Sequence, residues 1–263
     1  MTSQSALEHF IDFSNRLTES LSGREDVIGL VLVGSTADHS RVDEWSDHDF
    51  FVITKEGAAE AMRQNLSWLP DHDQIVMSPR ETDHGLKVVY RDSHVLEFAV
   101  FNDSELELAG LNAYAVAIDR TNITERSLAI AARPSGAAFD FDKEWQLFLA
   151  LLLIGVGRAR RGETLIAGQF VRSYCLNHVL GFVRHWLTPV AGTEHKEDSF
   201  NRYRRFELQF PELGQRLEAL LQLPVEAGAS AMLEFCLELG SATLTPAQVA
   251  AAEIVSQRFG WSA

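Results

Sequence analysis

Three acidic side chains are placed where they could bind a metal ion. Asp47 and Asp49 flank His48 at the start of an apolar run, DFFVIT, and Glu97 interrupts a second apolar run, VLEFAVF. Because successive side chains of a β-strand alternate between its two faces, Asp47 and Asp49 would point to the same side. Carboxylates so close together repel one another unless a cation neutralises them. Hard oxygen ligands suit magnesium, so the sequence predicts Asp47, Asp49 and Glu97 as metal ligands.

A glycine and a serine precede these acids in a position suited to binding phosphate. Gly34 and Ser35 end the apolar run VIGLVLV, and eleven residues separate them from Asp47. Glycine lets backbone amides approach a phosphate closely, and a Ser35 hydroxyl at a helix N-terminus can donate to it. Magnesium in proteins takes its remaining ligands from water and phosphate. A nucleoside triphosphate is therefore the expected partner of the site.

The same tripeptide, Asp-His-Asp, occurs a second time at residues 71–73. Acids separated by one residue are common in so acidic a chain, so the context must decide between the two copies. Asp71 and Asp73 follow Pro70 and precede a modest strand with no glycine loop upstream, which is typical of solvated turn residues. In the first copy, His48 alternates away from the acid pair. We predict that it packs in the core.

Buried strands must carry the candidate residues. VIGLVLV (27–33) and DFFVIT (49–54) are continuous apolar runs that indicate central strands, and QIVMS, LKVVY and HVLEFAVF predict further strands. Ser5 and Glu8 have the spacing of a capping box at the start of a first helix, and a second helix is predicted near 57–68.

The pattern changes to long helical periodicity from Asp142 onward. Helices are predicted near 143–160, 164–187, 212–222 and 228–240, followed by a final helix capped at Thr245. The domain boundary is placed in ARPSGAAFDFD. The predicted fold class is α+β, with an N-terminal catalytic domain (1–135) that has a mixed β-sheet flanked by helices. A C-terminal α-helical bundle domain (140–263) would bind the substrate.

The motif LVLVGSTADHSRVDEWSDHDFFVIT resembles the nucleotidyltransferase superfamily related to DNA polymerase β. The shared pattern is hydrophobic-Gly-Ser, a gap of about ten residues and Asp-x-Asp bounded by hydrophobic residues. Together with the helical second half, the chain is similar to the antibiotic-modifying members, the aminoglycoside and lincosamide nucleotidyltransferases. The motif-bearing part covers about residues 27–101.

The resemblance implies a role for each candidate residue. Asp47 and Asp49 would bind magnesium, and Gly34 and Ser35 would hold the nucleotide phosphates. Glu97 would be either a third metal ligand or the base that takes the proton from the acceptor hydroxyl. The loop between Ser35 and Asp47 departs from the family pattern, since it carries three acids and one arginine where a small, basic stretch is common.

The implied reaction is in-line attack by a substrate hydroxyl on the α-phosphate of a triphosphate, with ATP as the expected nucleotide. The catalytic residues would be Asp47, Asp49 and Glu97, AMP would be transferred, and pyrophosphate would leave. Such chemistry depends on charge neutralisation, so cations besides the metal are expected. Two basic clusters of the helical half are candidates, Arg158, Arg160 and Arg161 at a helix end and Arg202, Arg204 and Arg205 in NRYRRFE. Of these, Arg204 and Arg205 are predicted to contact the nucleotide.

The charge balance restricts the partners. The formal net charge is -14, from 37 acidic and 23 basic residues, and it repels extended nucleic acid. The N-terminus has no secretory pattern, and the apolar run LFLALLLIGVG is too short to cross a bilayer, so a cytoplasmic protein without a membrane partner is expected. The expected acceptor is a small hydroxylated molecule, with a cationic antibiotic as the favoured class and antibiotic resistance as its consequence.

Two other functions stay open from the sequence. The chain could nucleotidylate a protein or a tRNA end, as in toxin–antitoxin systems, although the negative charge disfavours tRNA more than protein. It could also be a non-catalytic nucleotide-binding regulatory protein, a reading that the presence of all three acids disfavours. The oligomeric state stays open as well, a homodimer included.

Overall fold

The chain divides into two compact units, Met1–Pro134 and Ser135–Ala263. The computed structural model describes residues 3–133, 138–193, 198 and 200–261, so the predicted end of the first domain at 135 lies outside the described residues. The first unit combines a mixed sheet with helices, and the second is helical, so the predicted α+β fold class is confirmed. Within the described ranges, no helix is both long and apolar enough to span a membrane.

The sheet of the first unit places two central strands side by side. Its strands are β1 Val27–Val33, β2 His48–Thr54, β3 Ile75–Met77, β4 Gly85–Tyr90, β5 Val95–Asn102 and β6 Tyr114–Asp119. In the part of the chain that the structure describes, these six form one sheet in the order β3-β4-β5-β2-β1-β6. β2 runs parallel to β5, whereas the other neighbouring pairs are antiparallel.

Helices cover both faces of this sheet. They are α1 Ser3–Ser22, α2 Gly34–Ala37, α3 Ala59–Gln64 and α4 Ile123–Ala131, with 3-10 turns at His39–Arg41, His72–Gln74 and Asp103–Leu108. Phe50 and Val52 of β2 share a core with residues of α1 and α3, whereas Ile53 shares a core with residues of α4. Both faces of β2 are therefore buried, as the continuous apolar run predicted. Its polar residues lie at the strand ends.

The second unit is built from helices around its own core. They are α5 Phe141–Arg160, α6 Thr164–Gln169, α7 Leu176–Trp186, α8 Phe206–Gln209, α9 Pro211–Gln222, α10 Val225–Leu239 and α11 Pro246–Phe259. The apolar run LFLALLLIGVG lies in α5, where Phe148, Leu152 and Val156 are fully buried. The predicted capping box of the last helix is present, with Thr245 as its N-cap.

Two predicted helices have different bounds in the first unit. The first begins at Ser3, before the expected capping box. The second, expected near 57–68, is limited to Ala59–Gln64, because the chain turns at Asn65, whose side chain accepts the N–H of Ser67. Local hydrogen bonding of this kind competes with the helix and ends it.

Two further elements, β6 and α4, were not predicted from the sequence. β6 is a half-buried to exposed strand at the edge of the described sheet, where it pairs with β1, so its sequence lacks the apolar run of a central strand. The first turn of α4 is stabilised from outside the helix, since the Asp119 carboxylate accepts the N–H groups of Ile123 and Thr124. β6 therefore depends on a strand that is distant in the sequence, whereas α4 depends on a local cap from the residue that ends β6.

The long helix predicted over 164–187 is present with an irregular middle. Phe170–Cys175 is a π-helical segment between α6 and α7. It packs very closely against α5, because a Cβ added to Gly155 would lie 2.9 Å from Cβ of Phe170.

Candidate metal centre

The carboxylates of Asp47, Asp49 and Glu97 converge in the first unit. One oxygen of each lies within 4.8 Å of the other two, and all three residues are partly buried. The parallel pairing of β2 with β5 places Asp49 directly opposite Glu97. Three carboxylate oxygens this close together are the type of ligand set that hard divalent cations such as magnesium bind. Their roles as metal ligands and catalytic residues stay predictions.

Strand alternation separates these acids from His48. The His48 ring is 1% exposed and stacks on Phe10 of α1, with ring centroids 3.6 Å apart. Its Nε2 lies 3.0 Å from the Phe10 carbonyl oxygen, and its Nδ1 lies 2.7 Å from Nε2 of His94. Burial lowers the pKa of His48 to about 3 and that of His94 to about 4. Both rings are therefore neutral, and His48 packs in the core as predicted.

Gly34 brings the end of β1 against the Asp49 carboxylate. Its φ is +60°, and a Cβ added there would lie 3.0 Å from Oδ2 of Asp49. Its N–H donates to the Ala113 carbonyl oxygen at 3.0 Å. Any other residue would be strained at this φ and would crowd the carboxylate. Gly34 therefore keeps the acidic cluster accessible from the side of β1.

The neighbouring Ser35 faces the first acid of the cluster. Its hydroxyl donates to the Asp47 carbonyl oxygen at 3.4 Å, so the turn after β1 is joined to the chain segment that carries Asp47. Phosphate binding by Gly34 and Ser35, as the sequence predicts it, stays a prediction.

Thr36 is a site residue that the sequence analysis missed. It is fully buried, and its hydroxyl oxygen accepts the backbone N–H of Asp49 at 2.8 Å. With Ser35 on the Asp47 carbonyl oxygen, α2 contacts the backbone of both acids. The only signal in the sequence was a hydroxyl residue directly after Gly-Ser. Its partner, the N–H of Asp49, can be identified only when the position of β2 relative to α2 is known.

Lys87 is a second missed residue, and it supplies a cation next to the cluster. β4 pairs with β5 so that Lys87 lies opposite Glu97. Its ammonium contacts the Glu97 carboxylate and lies 3.2 Å from Oε2 of Glu81. The hydrogen bond to Glu97 raises the pKa of Lys87. The hairpin spacing of the two strands was visible in the sequence, but the register that pairs these two residues was not.

The predicted nucleotide contacts Arg204 and Arg205 lie in the second unit. Each guanidinium pairs with Asp198, at 3.5 Å for Arg204 and 3.3 Å for Arg205, and the Asp198 side chain is 3% exposed. A buried carboxylate requires such partners, so these ion pairs have a structural role in the helical unit. A contact of Arg204 or Arg205 with a nucleotide stays a prediction.

The second Asp-His-Asp copy forms a solvated turn. Asp71 pairs with Arg16 at 2.8 Å and has a φ of +51°, and the Asp73 carboxylate accepts from the side chain of Gln74 at 2.8 Å. Both acids are exposed. Their side chains satisfy local partners, in contrast to the three converging acids.

A groove of about 530 Å³, open to solvent, extends from Asp47 to the side of β2 that carries His48. Of the acidic cluster, its lining includes Asp47, together with Asp43, Asp92 and Trp45. The Trp45 residue is 85% exposed, and its backbone N–H donates to the Asp43 carboxylate at 2.9 Å. An exposed indole next to carboxylates can bind an organic cation.

Comparison with known proteins gives distant structural similarities. No family model and no curated protein matches the chain. Among solved structures, the chain is similar to an aminoglycoside 6-adenyltransferase from Bacillus subtilis, with 12% identity, 95% of this chain and 91% of that chain covered, and a TM-score of 0.34.

Two further similarities have comparable values. A nucleotidyltransferase-like protein from Exiguobacterium sibiricum has 13% identity, with 93% of this chain and 77% of that chain covered and a TM-score of 0.34. A STING-associated CdnE c-di-GMP synthase from Capnocytophaga granulosa has 14% identity, with 97% and 82% covered and a TM-score of 0.31.

Proposed function

We propose that the chain is a nucleotidyltransferase that depends on a divalent cation, magnesium being the favoured ion. It moves a nucleoside monophosphate, AMP from ATP in the favoured case, to a hydroxyl of a small molecule. The observation that supports this most directly is the convergence of Asp47, Asp49 and Glu97 within 4.8 Å beside the Gly34 turn. A magnesium ion bound there would neutralise phosphate charge and align the α-phosphate for attack.

The residues of the chain have separate tasks in this reaction. Asp47, Asp49 and Glu97 would hold the cation, and the missing side chain of Gly34 leaves the Asp49 carboxylate uncrowded. The acceptor hydroxyl attacks the α-phosphate, the bond to pyrophosphate breaks, and the proton of the hydroxyl goes to a carboxylate of the cluster. Catalysis of this kind rests on positioning and electrostatics. The rigid strand pair β2 and β5 supplies the positioning.

The groove beside Asp47 supports a cationic acceptor. Its carboxylates and the exposed Trp45 indole favour a ligand with amino groups, and the net charge of -14 attracts cations over a longer range. Aminoglycosides and lincosamides carry hydroxyl and amino groups and form the first panel of acceptors to test. Modification of such a compound would make the chain an antibiotic-resistance enzyme.

Replacing Asp47 or Asp49 by Asn tests the proposal. We expect pyrophosphate release from ATP in the presence of magnesium and an acceptor to fall by about two orders of magnitude or more, because each change removes a ligand charge. We expect the melting temperature to stay equal or rise slightly, because repulsion among the carboxylates is relieved. Calorimetric titration with manganese or magnesium should show weaker binding by both variants.

The second Asp-His-Asp copy provides the matched control. Asp73→Asn has the same chemical change in an exposed turn and should leave ion binding and turnover unchanged. Unaltered turnover in both Asp47→Asn and Asp49→Asn, or an equal loss in Asp73→Asn, would contradict the proposed site.

A further inference from the structure

Lys87 is a cation in contact with the acidic cluster, and neither the motif nor the proposed metal ligands account for it. Its ammonium contacts the Glu97 carboxylate, and a Glu97 oxygen lies within 4.8 Å of both Asp47 and Asp49 oxygens. The β4 and β5 strands hold Lys87 and Glu97 opposite each other. Both side chains are partly exposed, 36% for Lys87 and 43% for Glu97, so the contact lies where a ligand can reach it.

We propose that Lys87 is a phosphate-binding residue that exchanges partners during the cycle. Before the divalent ion binds, its ammonium neutralises Glu97. With a divalent ion held by the three carboxylates, Glu97 would no longer need the ammonium, and Lys87 would turn from Glu97 to a phosphate oxygen of the triphosphate. This inference rests on the proposed function, and it names the cation that the reaction requires in the first unit.

The side chain is suited to such an exchange. Lysine carries a compact charge on a flexible four-carbon stem with three donors, so it can change acceptors without movement of the strand. Glu81 lies 3.2 Å from the ammonium as a second acceptor, so Lys87 keeps a partner while it leaves Glu97. Phosphates bound to an ion at the cluster would lie next to the Glu97 carboxylate and within reach of the same ammonium.

The exchange predicts opposite effects on two ligands. A positive charge beside Glu97 opposes a divalent ion, so its removal should strengthen ion binding. The same charge attracts phosphate, so its removal should weaken triphosphate binding. An ordinary cross-strand ion pair with a purely structural role would change neither affinity, or would change both in the same direction.

The test measures two affinities in the full chain by calorimetry. Manganese alone is titrated first, and a non-hydrolysable ATP analogue is titrated second with the divalent ion in excess. For Lys87→Met we expect manganese to bind roughly three- to tenfold more tightly and the analogue roughly three- to tenfold more weakly. Lys87→Arg keeps the charge and should keep both affinities near those of the unchanged chain.

Lys55 provides the matched control. It follows β2 at the end opposite Asp49, so Lys55→Met removes the same charge from the same sheet, far from the acids, and should alter neither affinity. Equal behaviour of Lys87→Arg and Lys87→Met would overturn the inference, as would unchanged or weaker manganese binding by Lys87→Met.

The proposed function and the exchange can fail separately. If the unchanged chain binds no triphosphate analogue, the proposed function is wrong and the exchange with it. If the unchanged chain binds the analogue and Lys87→Met binds it equally well, only the exchange is overturned. Melting temperatures show whether each variant is folded, and little change is expected because the Lys87 side chain is partly exposed.

Discussion

Thr36 shows how a single hydroxyl can position a carboxylate without contacting a ligand. Thr36 is fully buried, and its oxygen accepts the Asp49 N–H at 2.8 Å. A buried N–H without an acceptor costs about 1–3 kcal/mol. The backbone of Asp49 is therefore held in place by a residue from a different element, and the direction of the Asp49 side chain follows from that backbone.

We expect Thr36→Val to lower both stability and ion affinity. Valine keeps the shape of threonine but removes the acceptor, so the free energy of unfolding should fall by about 1–3 kcal/mol. Divalent-ion binding should weaken severalfold as the Asp49 backbone relaxes, whereas Thr36→Ser should stay close to the unchanged chain. Urea unfolding and calorimetric titration with manganese measure the two effects.

Thr54→Val is the control for that experiment. Thr54 is fully buried at the other end of β2, and its hydroxyl donates to the Phe101 carbonyl oxygen at 3.2 Å. The substitution should lower the free energy of unfolding and leave ion affinity unchanged. A similar loss of ion affinity in Thr54→Val would mean that Thr36 acts through global stability and has no positioning role.

At the scale of elements, the turn from β1 into α2 determines how closely a backbone can approach the acids. Gly34 has a positive φ, and a Cβ added to it would lie 3.0 Å from the Asp49 carboxylate. Gly57 also has a positive φ, +81°, but an added Cβ would meet no atom within 4 Å. A side chain at either glycine would strain the backbone, but only a side chain at Gly34 would also crowd the acidic cluster.

Gly34→Ala and Gly57→Ala should therefore differ in binding and resemble each other in stability. Both changes should lower the free energy of unfolding by about 1–2 kcal/mol, because alanine is strained in this conformation. Only Gly34→Ala should weaken manganese binding, by about tenfold or more, since its methyl group displaces the Asp49 carboxylate. Unfolding curves and ion titration measure both. Equal ion affinity in the two variants would exclude crowding as the role of Gly34.

The sequence predicted the elements whose evidence is local and missed those that depend on pairing. β1 and β2 are buried on both faces, so their apolar runs predicted central strands. Strand alternation predicted that Asp47 and Asp49 share one side of β2, and the resemblance implied that Glu97 joins them. The contact of Lys87 with Glu97, however, depends on the register of β4 with β5, which is determined by the turn and the packing together. β6 was missed for a related reason, since its stability comes from pairing with β1.

The basic residues show the same difference between local and distant evidence. Arg204 and Arg205 were predicted as nucleotide contacts because basic residues cluster there in the sequence. In the structure, their guanidinium groups pair with the buried Asp198 of the helical unit. Lys87, by contrast, lies in a strand without basic neighbours in the sequence, and its ammonium contacts the Glu97 carboxylate. A cluster of basic residues in the sequence does not by itself identify a ligand-binding site, because a buried carboxylate of the same unit also requires basic partners.

At the scale of the whole molecule, each unit has its own buried core, and the first depends on a pair of neutral histidines. His48 and His94 lie under α1, where Phe10 stacks on His48 and Phe13 contacts both rings. The Nε2 of His48 faces a carbonyl oxygen and must donate, so its Nδ1 accepts from His94. A proton added to His48 would remove that acceptor and place a charge in the core.

Acid should therefore destabilise the first unit well above the pH at which its carboxylates are protonated. In the unfolded chain both histidines take up protons near pH 6.5, whereas in the folded chain their pKa values are about 3 and about 4. The unfolded state binds more protons between these values, so this stability is fully present above pH 6.5 and is lost as the pH falls below it. Each histidine should contribute about 2 kcal/mol to the loss between about pH 6.5 and about pH 5.

Comparison of His94→Gln with His72→Gln tests this origin of the acid sensitivity. Glutamine can still donate to His48 but takes up no proton, so His94→Gln should lose about 2 kcal/mol less than the unchanged chain on acidification to about pH 5. His72 is exposed in the second Asp-His-Asp copy, and its replacement should leave the pH dependence unchanged. Urea unfolding at several pH values provides the measurement. If all three proteins showed the same pH dependence, other groups would cause the loss of stability. The His48–His94 pair would then bind as many protons in the folded chain as in the unfolded chain.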